Sequence, residues 1–171
     1  APAAPTVWAM VLRDRIAARG LSISSLKLRH SLANFELQTN NEGTAAIDLF
    51  YIDEYEVFVG KWGYKTEMLQ QLIDPNTNTV SLNLIPEYYD DFSLDFGWTS
   101  DGTASFGRWE RGVPIGVIFA GNVTNPFVDV SSDLGGFCFV TGNGGGISNN
   151  VNEGTVNLYS PTFDLATYND P

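Results

Sequence analysis

The chain has 171 residues, of which 43% are hydrophobic and 17% are charged, a balance typical of a globular protein that buries a core without metal or disulfide cross-links. The formal net charge is -11, and so acidic a surface repels phosphate backbones and anionic lipid head groups. Nucleic-acid binding and membrane insertion are therefore excluded as leading functions, since no run of about 18 apolar residues is available either.

The residue types favour strands over helices. Glycine, asparagine, threonine, valine and aromatic residues are frequent, a composition typical of strands joined by tight turns. The sequence therefore predicts an all-β protein. The opening segment APAAP is rich in proline and alanine, as is typical of an extended segment left after removal of a signal peptide or of a domain junction, and we expect a secreted or cell-surface protein.

Residues 1–86 contain short apolar or alternating segments separated by turn-forming residues. These segments read VWAMVLR, LSISSLKLRH, ANFELQT, TAAIDLF, YEVFVGKWGY and VSLNLI. Their pattern predicts about five to seven strands. A further segment, KTEMLQQLI, is compatible with one short helix or with a strand, and its spacing leaves both open.

Histidine and cysteine, which often carry catalysis, occur once each. His30 ends the alternating stretch LKLRH, and we expect it on the polar face of a strand rather than in a catalytic triad. Cys138 lies in GGFCFVTG, where an apolar strand predicts a buried, inert thiol. One histidine and one cysteine supply neither a typical zinc site nor an internal disulfide, so we predict that the chain is not an enzyme.

The composition changes near Pro86, within the segment IPEYYDD. Residues 1–86 carry 7 basic and 9 acidic groups, whereas residues 87–171 carry 2 basic and 11 acidic groups, and glycine rises from 4 to 13. A shift of this size predicts a domain boundary, which divides the chain into residues 1–86 and 87–171.

Residues 87–171 read as strands with long loops between them. The strand-like segments are DFSLDFGWTSDG, TASFGRWERG, VPIGVIFAG, GGFCFVTG and TVNLYSPTFDL. Their inward faces are expected to carry Phe92, Trp98, Trp109, Phe139 and Leu158. The segments NVTNPFVDVSSDLGG and NGGGISNNVNEG read as long loops, which in a compact domain are often functional.

Exposed aromatic residues would give a stacking surface for carbohydrate. The candidates are Trp62, Tyr88 and Tyr89, and Trp62 is expected to be the best exposed tryptophan. The competing interpretation is that tryptophans within apolar strand segments belong to a core.

Acidic residues offer oxygen ligands for a cation such as calcium. The candidates are Asp91, Asp95, Asp129 and Asp133, and Asn143 would add an amide oxygen if the two long loops meet. Ordinary turn chemistry and a solvated acidic face explain the same residues without any ligand.

The stretch TNNEGTAAIDLFYIDEYEVFVGKWGYKTE, followed by VSLNLIPEYYDDFSLDFGW, resembles the carboxypeptidase regulatory-like modules of secreted bacterial proteins. The shared features are a turn with glycine, a Tyr-x-Val-x-Val strand and a Gly-Tyr pair. The resemblance implies a seven-stranded sandwich of prealbumin type that acts as a rigid spacer or adhesion unit. Residues 1–35 carry no motif of that family.

The later segments DDFSLDFGWTSDGTASFGRWERGVPIG, GGFCFVTGNGGG and NLYSPTFDLATYNDP resemble the jelly-roll domain found beside peptidase domains in secreted multidomain bacterial proteins. The resemblance implies a second β-sandwich that often holds a structural calcium. Here the expected acidic run reads SNNVNEG, so Asn149, Asn150 and Asn152 stand where carboxylates are usual, and the attraction for calcium is weaker. Family members continue past the final DP, so we expect either a fragment or a jelly roll that another chain completes.

Together these features predict a non-catalytic extracellular structural or assembly module, joined by strand exchange into a fibre or surface complex with its own copies or with other domains of a larger protein. The exchanged strand would contain Val7, Trp8, Met10 and Leu12. In the alternative interpretation this segment is simply the first strand of its own sandwich. The alternative function is a carbohydrate- or surface-binding accessory module of a secreted bacterial metallopeptidase.

Overall fold

The computed structural model describes residues 8–14, 25–41, 43–49, 51–74, 76, 79–146 and 150–166. Within these ranges the chain forms thirteen strands and no helix, so the prediction of an all-β protein is confirmed. No helix in the described part of the chain is long and apolar enough to cross a membrane. The chain divides into two compact units, the first ending at Tyr89 and the second beginning at Asp90.

The first unit contains seven strands in its described residues, arranged in two sheets. The strands are β1 (Trp8–Asp14), β2 (Ser25–His30), β3 (Ala33–Gln38), β4 (Thr44–Leu49), β5 (Asp53–Gly60), β6 (Glu67–Ile73) and β7 (Thr79–Leu82). One sheet has the order β4-β1-β7 and the other has the order β3-β2-β5-β6. The segment KTEMLQQLI, for which helix and strand were both open, forms β6.

Buried side chains from both sheets form one hydrophobic cluster. Its members are Leu26, Leu28, Ala45, Leu49, Tyr55, Val57, Val59, Ile73, Val80 and Leu84. The alternation along β2 and β5 places these side chains on one face of each strand, because successive side chains of a strand point to opposite faces. Burial of each large aliphatic side chain contributes about 1.5 to 3 kcal/mol, so this cluster accounts for much of the first unit's stability.

Strand β1 lies in the middle of the three-stranded sheet. It pairs antiparallel with β4, where Trp8 lies opposite Leu49, and parallel with β7, where Leu12 lies opposite Val80. The N-terminal segment is therefore hydrogen-bonded on both sides within its own chain, which favours the interpretation that it is the first strand of its own unit. Trp8, Met10 and Leu12 lie on β1, and Val7 lies outside the described residues.

The second unit contains six short strands in its described residues. They are β8 (Thr99–Gly102), β9 (Trp109–Gly112), β10 (Val117–Phe119), β11 (Asn122–Asn125), β12 (Cys138–Thr141) and β13 (Val156–Tyr159). They pair as three two-stranded sheets, β10-β11, β12-β9 and β13-β8. The expectation that NVTNPFVDV is entirely loop is wrong, because β11 lies within it.

The strand predicted for DFSLDFGWTSDG is too long, since only Thr99–Gly102 forms a strand. The cause is local hydrogen bonding. The carboxylates of Asp90, Asp91 and Asp95 each accept the backbone N–H two residues further along the chain, at 2.8 to 2.9 Å. Such turns compete with strand pairing for the backbone donors. The rings of Phe92 and Trp98 therefore lie outside strands, although each packs against Phe139.

Candidate functional site

His30 lies on the core side of β2, contrary to the expectation of a polar face. It shares its face with Leu26 and Leu28, because alternate residues of a strand point the same way, and it is 9% exposed. Its ring stacks on that of Tyr51, with centroids 5.6 Å apart, and is tilted against that of Tyr55. The alternation in LKLRH was clear, and the error lay in the choice of face.

Both ring nitrogens of His30 have hydrogen-bond partners. Nδ1 accepts the backbone N–H of Leu32 at 3.2 Å, so Nε2 carries the proton and donates it to Asp53 Oδ2 at 3.0 Å. This hydrogen bond is the main cause of a lowered pKa at Asp53. An open polar hollow beside the ring is lined by Arg29 and Glu56, which form an ion pair at 3.6 Å. The geometry favours a structural role for His30 over proton transfer to a ligand.

Cys138 lies on β12 and is half-buried rather than fully buried as expected. Burial, the charge of Asp129 and a hydrogen bond to Asp129 all raise the pKa of the thiol. A thiol with a raised pKa stays protonated at neutral pH and is a poor nucleophile. The environment of Cys138 is therefore that of a structural thiol.

The structure brings Trp62 and Tyr88 together, both within the first unit. Trp62 lies in the turn after β5, where Tyr64 donates its N–H to the Lys61 carbonyl at 2.9 Å. The rings of Trp62 and Tyr88 meet edge to face, with centroids 5.4 Å apart, and both side chains are half-buried. Trp98 and Trp109 are half-buried as well, so the expectation that Trp62 is the best exposed tryptophan stays a prediction. An edge-to-face pair offers no flat surface of two rings for stacking on a sugar. Tyr89 is 39% exposed, and carbohydrate binding stays a prediction.

Three of the predicted acidic ligands, Asp91, Asp129 and Asp133, lie partly or fully buried in the second unit, whereas Asp95 is exposed. Asp91 is fully buried, and its Oδ2 atom has no hydrogen-bond partner, as is also true of Asp129 Oδ2. Burial is the main cause of a raised pKa at Asp91, and the charge of Asp133 adds to it. Asp133 also raises the pKa of Cys138, so these groups share one region of the unit.

The same residues do not make a calcium site in the structure. Within the described ranges, no group of three or more histidine, cysteine, aspartate or glutamate side chains is arranged to hold a metal ion. Asn143 is also engaged elsewhere, since its Oδ1 accepts the N–H of Ile115 and its Nδ2 donates to the Val113 carbonyl, both at 2.8 Å. The arrangement therefore does not fit the calcium that the jelly-roll resemblance implies, and calcium stays a prediction of that resemblance alone.

A hairpin of β10 and β11 carries a surface that the sequence analysis did not single out. The two strands join through Ala120 and Gly121, whose φ angles of 49° and 82° make a type I′ turn. Ile118 lies directly opposite Val123 across the hairpin. The large apolar side chains exposed on the hairpin and directly after it are Ile118 (60% exposed), Phe119 (57%), Val123 (62%), Phe127 (52%) and Val128 (74%), and we name this set the apolar hairpin surface. Ile118 and Val123 share one face of the hairpin, and Phe119 lies on the other.

Specific contacts hold this hairpin in place. Thr124 Oγ1 donates to the Val117 carbonyl at 3.2 Å, and Val117 is the one residue of β10 whose side chain is buried. The ring of Phe127 lies against the backbone of Gly116, where a Cβ atom would overlap it. The surface is therefore presented by an ordered scaffold, which lowers the entropy cost of binding.

The exposure of this surface contrasts with the small core of the second unit. Among the described residues of that unit, the buried hydrophobic side chains are Leu94, Ala104 and Val117. Large exposed apolar patches on folded proteins often mark a surface that another molecule covers. The hairpin is therefore the best candidate functional site of the chain.

The sequence signal for this site was weak. VPIGVIFAG was read as a strand, but its partner NVTN was read as loop because asparagine and threonine dominate it. The turn is Ala-Gly rather than the Asn-Gly that marks a type I′ hairpin.

Comparison with known protein families, with curated proteins and with solved structures gave no match.

Proposed function

We propose that the chain is a non-catalytic, extracellular structural module that joins an assembly by accepting a β-strand at the apolar hairpin surface. In this proposal the first unit is a seven-stranded, prealbumin-type sandwich that acts as a spacer, and the second is a jelly-roll-like unit. The two sheets that share one hydrophobic cluster support the first assignment. The exposure of the five apolar side chains of the hairpin surface carries the functional proposal.

Strand addition suits the geometry of this surface. In the described part of the chain, β10 and β11 pair with each other alone, so each has an outer edge. An added strand would hydrogen-bond along one of these edges and place alternate side chains next to Ile118 of β10 or next to Val123 of β11. Burial of an apolar side chain contributes about 1.5 to 3 kcal/mol, which offsets the cost of ordering the added strand.

This proposal moves the assembly contact away from the N-terminal segment. Strand β1 is paired on both sides within its own sheet, whereas β10 and β11 form a two-stranded sheet with exposed apolar residues. Unlike β1, each strand of the hairpin therefore has an unpaired edge next to exposed apolar side chains.

Peptide binding to the full chain tests the proposal. A labelled peptide with alternating valine and threonine is titrated by fluorescence anisotropy, next to a version whose alternate amides are N-methylated. We expect binding of the first peptide, no binding of the methylated one, and weakening by about tenfold or more in the double variant Ile118→Thr, Val123→Thr. The matched control is Leu72→Thr, which changes a side chain 52% exposed on β6 of the first unit.

Two results would count against strand addition. Equal binding of the methylated peptide would mean that backbone hydrogen bonds do not contribute. If Leu72→Thr weakens peptide binding as much as the hairpin double variant does, binding is not located at the hairpin.

A further inference from the structure

We infer that the strand accepted at the apolar hairpin surface is flanked by basic residues and comes from a different polypeptide, not from a second copy of this chain. The inference rests on the proposed function and adds the chemistry of the partner to it. The distribution of charge over the second unit supports it, together with one buried carboxylate oxygen of Asp129, which follows the hairpin in the chain.

The exposed charge of the second unit is almost entirely negative. Within its described residues, the exposed acidic side chains are Asp95, Asp101, Glu110, Glu153 and Asp164. Its two basic residues are Arg108, which is exposed, and Arg111. The guanidinium of Arg111 donates to the Phe92 carbonyl at 2.7 Å and lies over the ring of Phe137, so it is engaged inside the unit. One exposed cation therefore stands against five exposed carboxylates.

This charge acts on any molecule that approaches the hairpin. A compact unit of this length has a radius of gyration of about 12 Å, comparable to the Debye length of about 8 Å at physiological ionic strength. Screening therefore leaves part of the negative potential in place at the hairpin. A cationic segment is attracted by it, and an acidic one is repelled.

A second copy of this chain is repelled as a whole, because it carries the same formal net charge of -11. Its second unit carries the same negative charge, and contact between two hairpins would bring like charges together. In the first unit, Lys27 and Arg29 already form ion pairs with Glu36 and Glu56, at 3.4 and 3.6 Å. Repulsion of this kind favours pairing of the hairpin with a chain of opposite charge.

Asp129 adds a local contribution beside the hairpin. It lies between Val128 and Val130, which are 74% and 66% exposed. Its carboxylate takes part in a hydrogen bond with Cys138, but its Oδ2 atom is buried without a hydrogen-bond partner. An unpaired buried carboxylate oxygen is costly, and a lysine or arginine of an incoming strand would give it a partner.

Three peptides with the same alternating valine and threonine core test the inference, one ending in lysines, one in glutamines and one in glutamates. With the full chain at low salt, we expect the lysine peptide to bind at least about tenfold more tightly than the glutamate peptide, with the glutamine peptide between them. The difference should shrink as salt is added, because screening removes exposed charge interactions. Asp129→Asn should reduce the lysine preference, whereas the exposed control Asp164→Asn should reduce it less.

The outcomes separate this inference from the proposed function. If all three peptides bind equally and the double variant Ile118→Thr, Val123→Thr binds none of them, the inference of a basic partner is wrong and strand addition is still supported. No binding of any peptide would overturn both. Sedimentation velocity tests whether a second copy occupies the surface. If the full chain is a dimer and the double variant Ile118→Thr, Val123→Thr is a monomer, the inference of a different polypeptide is wrong.

Discussion

At the scale of single residues, buried carboxylates determine how the second unit responds to pH. Burial raises the pKa of both Asp90 and Asp91 above their usual value. A carboxyl group with a raised pKa binds its proton more tightly in the folded than in the unfolded chain. Its favourable contribution to stability is therefore fully present below the ordinary value of 3.8 and is lost as the pH rises through the raised pKa.

Replacement of Asp91 by Asn should raise the stability of the second unit at neutral pH. The side-chain oxygen can still accept the Ser93 N–H, a bond of 2.9 Å in the wild type, while the buried charge is removed. The gain in the free energy of unfolding should disappear as the pH falls toward 4. Urea denaturation in the presence of EDTA at several pH values measures this, and a loss of stability at neutral pH would contradict it.

Calcium can be tested with the same variant. The resemblance predicts that calcium raises the thermal midpoint of the wild type and does not raise that of Asp91→Asn, whereas the absence of a three-ligand group within the described ranges predicts no effect on either. Asp95→Asn is the control, since Asp95 is exposed and its carboxylate accepts the N–H of the nearby Gly97. A rise confined to chains with Asp91 would restore the calcium site.

At the scale of elements, the strands of the first unit were largely predictable, and those of the second were not. In the first unit, the core residues Leu26 and Leu28 of β2 and Tyr55, Val57 and Val59 of β5 recur at every second position, as in a strand, and turn residues mark the strand ends. In the second unit, Asp90, Asp91 and Asp95 turn an apolar segment into bends through their own side chains. Hydrophobic pattern alone does not reveal that competition, and it identified β10 without its partner β11.

The choice of face was the other limit of sequence reasoning. The spacing in LKLRH places His30 on the same face of the strand as Leu26 and Leu28. The burial of His30 depends on residues later in the chain, after β4, namely Tyr51, Asp53 and Tyr55. The apolar hairpin surface is likewise exposed because no described segment of the chain covers its apolar side chains, which the sequence pattern alone does not show. Sequence pattern identifies apolar residues, and only the tertiary structure shows which of them remain uncovered.

Substitution at Ala120 tests the hairpin turn. Alanine has a φ of 49° there, a left-handed conformation that asparagine tolerates better and valine tolerates poorly. We expect Ala120→Asn to stabilise the hairpin by about 0.5 kcal/mol and Ala120→Val to destabilise it by about 1 kcal/mol or more. Amide exchange rates in β10 measure the change, and the same direction of effect in both variants would contradict the turn assignment.

Proline at Val11 tests the position of β1. Val11 pairs with Ala46 of β4 on one side and with Thr79 of β7 on the other. Proline is poorly tolerated in a central strand, so Val11→Pro should prevent cooperative folding of the first unit. A folded first unit that has lost only its ability to assemble would instead support strand exchange through the N-terminal segment. Far-UV circular dichroism and sedimentation velocity distinguish the two results.

At the scale of the whole molecule, the two units differ in how completely they bury their apolar residues. Leu28 is fully buried in the first unit, whereas Ile118 is 60% exposed in the second. We expect Leu28→Ala to lower the free energy of unfolding by about 2 to 5 kcal/mol, and Ile118→Thr to change it by about 0.5 kcal/mol or less. Urea denaturation measures both, and a large loss in Ile118→Thr would mean that the hairpin belongs to a core instead of a binding surface.

Hydrogen–deuterium exchange of the full chain with the lysine-ended peptide tests strand addition at the hairpin most directly. The surface predicts slower exchange at amides of Val117–Phe119 or Asn122–Asn125 when the peptide is bound, and no change with the N-methylated peptide. Unchanged exchange in both strands under saturating peptide, or protection confined to strands of the first unit, would contradict a partner strand at this site.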